Sequence, residues 1–238
     1  MKFEELGTGF VKKKEKRVVG LFIDGTGLDR ATRRINRKVD MTALVRGVSS
    51  GLQPIVARYY TLIPYEDDSR QRAFLDAVAK AGLSVIVKRL PPKGITRQVT
   101  VDLEMAADMV AFSLGLTSFS KENEYLPIEF QAAKAAMASP RGGRSELTEE
   151  EFSQATSEQK QSARGSGPLL KVDSSLVGVK RSVVVVCPSR ELSYPMSMIK
   201  DLGADTTTAD FGQFNQGDVL KSAAKWMDLS DSETIWRD

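Results

Sequence analysis

The chain contains no histidine and a single cysteine, Cys187, among its 238 residues. Without an imidazole there is no Ser-His-Asp triad, no Cys-His pair and no histidine general base. One thiol excludes an internal disulfide and any Cys/His-built zinc or iron–sulfur site held within one chain. Long apolar runs are lacking too. The longest, VVGLFI and VVVV, fall far short of the roughly 20 residues a membrane-spanning helix needs. The opening MKFEELGTGFVKKKEKR has no apolar stretch of the secretory kind. With so little cysteine, these features predict a cytoplasmic protein with no membrane association. Aromatic residues make up 7% of the chain and do not interleave with basic ones as a single-strand stacking platform requires; Tyr59, Tyr60 and Tyr65 come nearest. What remains is chemistry on carboxylates, lysines, hydroxyls and backbone dipoles. A catalytic metal here must be a hard cation held by oxygen.

What is present is charge, unevenly spread. Residues 1–60 carry 13 Lys and Arg against 6 Asp and Glu, whereas residues 201–238 carry 3 against 8. That asymmetry fits a surface facing a polyanion, although a solvated charged helix gives the same count.

The pattern along the chain alternates. Residues 1–16 read as a basic N-terminal segment, and 17–238 as one domain interrupted at about 116–177. Arg17–Ile23 is an apolar run ending at Asp24 and a Gly-rich turn, the signature of a buried parallel strand. Strands are also predicted over 54–60, 83–88, 181–187 and, more weakly, 204–209. Helices are predicted over 40–48 with Asp40 as cap, and over 68–81 with Phe74 and Val78 on the buried face. Others are expected over 100–114 with Thr100 as cap, over 194–202 and over 219–229. The insertion is Ala-, Ser-, Glu- and Gln-rich, with helix-like pieces at 127–138 and from Thr148, where Glu151 completes a capping-box spacing. The alternation predicts an α/β three-layer sandwich with a central, mainly parallel sheet, plus a partly helical insertion.

In such a sheet ligands bind where strands end and connections diverge. Asp24 ends the first strand; Asp102, Glu104 and Asp108 follow the third; Ser189, Arg190 and Glu191 follow RSVVVVC. Acids gathered at that edge suit a magnesium- or manganese-dependent phosphodiesterase. A lone Asp after a strand is as often a turn or cap residue. On an ideal helix Asp102 and Asp108 lie about 240° apart, so both do not face one site. Cys187 reads as a small buried hydrophobe, and Trp226 and Trp236 as packing in the last helix and a tail contact.

Five segments, VVGLFIDGTGL, ARYY, SRQRAFLDAVAKAGLSVIV, KGITRQVTVDLEMAADM and VVVVCPSRELSYPMSMIKDLGAD, together with VLKSAAKWMDL, resemble the NYN domain, a branch of the PIN-like nucleases. The resemblance covers about 17–115 and 178–230. It implies a PIN-like fold and a metal-dependent ribonuclease, with Asp24, Asp102 and Glu191 as ligands of Mg²⁺ or Mn²⁺ and Asp108 as a supporting catalytic acid. The chain departs from the family pattern in three places: Gly27 stands where an Asn is usual, Pro188 where a Gly is usual, and Ser189 and Glu191 where two Asp are usual. A rim of Arg30, Arg33, Arg34, Arg37, Lys38, Lys93, Arg97 and Arg190 is expected to position RNA phosphates. The rival readings are a degenerate nuclease fold serving as an RNA-binding or scaffold subunit, and a homo-oligomer or protein partner engaged through the insertion.

Overall fold

Residues with aliphatic, β-branched and aromatic side chains build the centre of a six-stranded sheet. In the computed structural model, residues 16–66, 69–127, 174–212, 217–230 and 233–237 are described. The strands are β1 (Arg17–Asp24), β2 (Val56–Ile63), β3 (Ser84–Arg89), β4 (Lys180–Val186), β5 (Asp205–Asp210) and β6 (Lys225–Asp228). They pair in the order β3-β2-β1-β4-β5-β6, every neighbour parallel. This is the α/β sandwich expected from the alternation, with a wholly parallel sheet among the described residues.

Both faces are covered, as a parallel sheet requires. One face packs against α1 (Gly25–Ile35), α2 (Met41–Val48), α3 (Ser69–Lys80) and the C-terminal segment with Ile235 and Trp236. The other packs against α4 (Asp102–Ser113) and α5 (Ser193–Asp201), with the short α6 (Gly217–Ser222) lying on α5. Connections from β1 run outward toward β3 over one face, and those from β4 run outward toward β6 over the other. The crevice between the carboxyl ends of β1 and β4 is therefore the switch point of the sheet.

Four differences from the sequence expectation matter. The Gly-rich turn after Asp24 is the first turn of α1, which carries the arginine cluster. The stretch 219–229 is the end of α6 followed by β6, so Trp226 is a half-exposed edge-strand residue rather than helix core. On α3 the buried residues are Leu75 and Val78, and Phe74 is 47% exposed. Thr100 precedes the helix proper, but its hydroxyl still accepts the Asp102 N–H at 3.0 Å. Asp40 caps α2 as expected, accepting from Ala43 at 2.8 Å.

The first residues of the expected insertion are ordered against the sheet. Asn123 accepts from Val87 and Tyr125 donates to Val85, each at 2.8 Å, so this segment closes the β3 edge. Residues 1–15 of the basic segment 1–16, residues 128–138 of the helix-like piece 127–138, and the piece from Thr148 lie outside the described residues.

Candidate active site at the carboxyl edge of the sheet

Asp24 ends β1 and caps α1. Its Oδ1 accepts the Gly27 N–H at 3.0 Å, and the residue is 5% exposed. Burial is the main reason its pKa rises to about 6; the Gly27 N–H opposes the rise, the nearby Asp102 charge adds to it, and the Thr26 N–H and Arg30 oppose it. An aspartate that stands buried beside another aspartate is costly to the fold unless something else favours its charge.

Asp102 reaches the same place from the first turn of α4. Its Oδ1 accepts from the Ser189 hydroxyl at 2.7 Å, and its other oxygen is held by the Thr100 hydroxyl. Ser189, standing where the resemblance implies an acid, thus orients Asp102 across 87 residues of sequence. Lys88 pulls the loop before α4 into place, donating to the Thr100 carbonyl at 2.9 Å and pairing with Glu104 at 2.5 Å.

The turn after β4 is tight. Cys187 has φ 50°, a left-handed conformation uncommon for a residue with a side chain. Its N–H donates to Ala209 at 2.8 Å. Burial pushes its thiol well above the ordinary value, so it is no nucleophile at neutral pH. A Cβ on Gly27 would lie 2.2 Å from the Cys187 carbonyl oxygen and 2.9 Å from Asp24 Oδ2. Glycine is what lets the start of α1 approach this turn, and an asparagine has no room here.

A cavity of about 300 Å³ opens between these elements. Asp24, Arg30, Arg34, Ser189, Arg190 and Asp210 are on its walls; Asp102 is not, and adjoins the cavity through its bond to Ser189. Asp210, at the end of β5, is the acid the sequence reading missed. Its Oδ1 accepts from Trp226 Nε1 at 2.9 Å. Its pKa is raised by burial, with the Trp226 bond opposing and Asp228 adding. The signal was present: a β-branched run, Thr206 to Thr208, ends in an aspartate just as β1 does.

The other expected residues divide. Asp108 is turned away from the edge: its Oδ2 lies 2.6 Å from Arg58 Nη1 and 2.7 Å from the Tyr60 hydroxyl. Arg58 aligns with Phe22, two positions below Asp24 in the register. Glu191 is exposed in the turn Arg190–Leu192 and is not on the cavity wall. Arg190 stands at the rim, paired with Asp218 at 2.9 Å. Lys93 and Arg97 are exposed on the loop before α4. Arg33, Arg37 and Lys38 line a different cavity.

No group of three or more His, Cys, Asp or Glu side chains close enough to hold a metal occurs among the described residues. Two neighbouring carboxylates, one of them bonded to the Ser189 hydroxyl, still fit Mg²⁺ or Mn²⁺, which usually keep several waters and take further oxygens from a substrate phosphate. The Thr26 hydroxyl, two residues after Asp24, is buried without a hydrogen-bond partner. No helix among the described residues is long and apolar enough to cross a membrane.

No curated protein matches the chain. The structure of a protein of unknown function from Vibrio parahaemolyticus superposes with a TM-score of 0.50 at 11% identity, over 94% of this chain and 97% of that one. At that identity the likeness is one of fold. Residues 18–116, which carry Asp24, the α1 arginines and Asp102, match the family model of the NYN domain.

Proposed function

We propose that the chain is an endoribonuclease that hydrolyses RNA phosphodiesters at the switch-point crevice, with Mg²⁺ or Mn²⁺ held by Asp24 and Asp102. The observation that carries this reading is the apposition of those two carboxylates from β1 and α4, one of them buried and raised to about 6 by burial and by the other. Glu191 and Asp108 have no part in the set. The cation, when bound, supplies charge neutralisation at the phosphate and acidifies a coordinated water. The chain's own residues do the rest. Ser189 and Thr100 fix the orientation of Asp102, while Arg30 and Arg34 on the cavity wall take phosphate oxygens. Asp210, with one oxygen held by Trp226, offers its other oxygen for proton transfer on the far wall.

Calorimetric titration with Mg²⁺ and Mn²⁺, wild type against Asp24→Asn, paired with cleavage of single-stranded RNA, tests this. Binding and cleavage both lost in the variant, and cleavage abolished by EDTA, are the expected results. Folded protein that cleaves nothing under any divalent cation would refute it.

A second reading has its own support. Among the described residues no cluster of three acids forms, and Arg190 adds a cation at the rim. On that reading the fold binds RNA without cutting it. Salt-sensitive binding that EDTA leaves unchanged, with no cleavage, selects it.

A further inference from the structure

Helix α1 separates two cavities. Arg30, Ala31 and Arg34 face the carboxyl-edge site, whereas Arg33 on α1 and Arg37 in the loop after it face a second cavity of about 400 Å³ between α1 and α3. A spacing of four residues is about 40° on a helix, so Arg30 and Arg34 share a face of α1 and Arg33 is on the adjoining one, while Arg37 follows the left-handed Asn36 that ends the helix. The second cavity is within the size range of small-molecule sites. Its floor is apolar and aromatic. Tyr59 is buried there, with Phe74 edge-on to it at 6.2 Å between centroids and half-exposed at the mouth.

Its rim is cationic and held in place. Arg33 pairs with Asp29 at 2.9 Å on the exposed side of the rim. Arg37 lies 4.1 Å over the ring of Trp236. The C-terminal segment ties the loop after α1 down, with Asp40 donating to Ile235 at 2.8 Å and Arg237 donating to Lys38 at 2.9 Å. Residues far apart in the chain, Arg33, Arg37, Lys38 and Arg237, therefore share one rim, with Asp29 the one acid on the wall among the described residues.

We propose that this cavity is a nucleotide-binding site, with the base against Tyr59 and Phe74 and the phosphate on the Arg33, Arg37, Lys38 and Arg237 rim. An exposed aromatic edge provides a surface on which any base stacks. Pre-fixed guanidinium groups are suited to phosphate oxygens. An apolar floor alone would take any hydrophobe, and a cationic rim alone any anion; the two together select a nucleoside phosphate. It reaches the cavity either as a free nucleotide or within an RNA strand crossing α1. The site does not depend on cleavage at Asp24.

The test uses the full chain in EDTA, so that the carboxyl-edge metal plays no part. AMP, UMP, adenosine, inorganic phosphate and an RNA 8-mer are titrated into wild type, Phe74→Ala, Lys38→Glu and Asp24→Asn. Lys121→Glu, an exposed position on a different cavity, controls for bulk charge. Saturable AMP or UMP binding, weakened about tenfold or more by Phe74→Ala and by Lys38→Glu but not by Lys121→Glu or Asp24→Asn, establishes a free-nucleotide site. The same variant pattern with the 8-mer alone establishes a strand-borne one. Inorganic phosphate binding as tightly as AMP, no saturable binding by any probe, or indifference to Phe74→Ala overturns the proposal. Retention of RNA cleavage by Phe74→Ala in that last case, assayed separately with Mg²⁺ and without EDTA, would leave the carboxyl-edge reading standing.

Discussion

At the scale of single residues, Asp24 shows what the site costs the fold. Its side chain does ordinary structural work as the cap of α1, which an uncharged asparagine also does well. The charge is what the fold opposes. The native carboxyl keeps its proton up to about pH 6 against a reference of 3.8, mainly through burial. Between those values the native state binds more protons than the unfolded chain, so stability falls as pH rises through the window. The loss above it is roughly 3 kcal/mol. In EDTA, Asp24→Asn should therefore be more stable than wild type by about 1–3 kcal/mol at pH 7.5, with the difference vanishing near pH 4. Urea unfolding at the two pH values measures it. A wild type equal to or more stable than the variant at pH 7.5 would show that the buried charge is already satisfied within the chain. The same reasoning explains why half of the site was legible in the sequence. Asp24 and Asp102 were found because strand ends and helix starts are visible as local patterns. That Ser189 orients Asp102, and that Asp210 joins the cavity, depends on contacts between segments about 90 or more residues apart.

At the scale of elements, the sheet order follows from apolar runs, and those runs were readable. The errors fell where two local signals compete. Two glycines after Asp24 looked like a turn, yet they begin α1 because Asp24 caps it and Gly27 must pass the Cys187 carbonyl. Trp226 and Met227 fitted a helical stripe, but pairing with Thr208 and Ala209 makes them an edge strand. The family resemblance implies Asp108 as a supporting acid, although helix geometry sets it about 240° from Asp102. Its place on α4 instead joins that helix to β2, through Arg58, which is 5% exposed, and through Tyr60. Burial raises the Asp108 pKa while Tyr60 and Arg58 lower it, which marks a paired buried charge rather than a free acid. Removing one partner strands the other, so Asp108→Ala should cost about 3–5 kcal/mol. The double change Asp108→Leu with Arg58→Met should cost clearly less. Denaturant unfolding of both distinguishes this from a catalytic role. A loss of cleavage in Asp108→Ala at unchanged stability would return the residue to the active site.

At the scale of the whole molecule, the last described residues connect features that the sheet keeps apart. Trp236 bridges to Val39, stacks against Phe211 at 5.5 Å between centroids and lies beneath Arg37. Phe211 directly follows Asp210 on the wall of the carboxyl-edge cavity, and Arg37 is on the rim of the second cavity. One indole thus backs both, which is why a tail contact read from the sequence understates it. Truncating a buried aromatic of this size typically costs 3–5 kcal/mol, and Trp236→Ala should fall in about that range. Trp236→Phe should lose less than half as much, because the ring stack survives and the indole N–H, buried without a partner, is removed. Guanidinium unfolding gives both values, and nucleotide binding by the folded fraction gives the coupling. Freed from its ring, Arg37 no longer holds a fixed place on the rim, so Trp236→Ala should also weaken AMP binding while Trp236→Phe retains most of it. An alanine variant as stable as wild type would mean that the tail only rests on the domain, and that each cavity is built by its own face of α1.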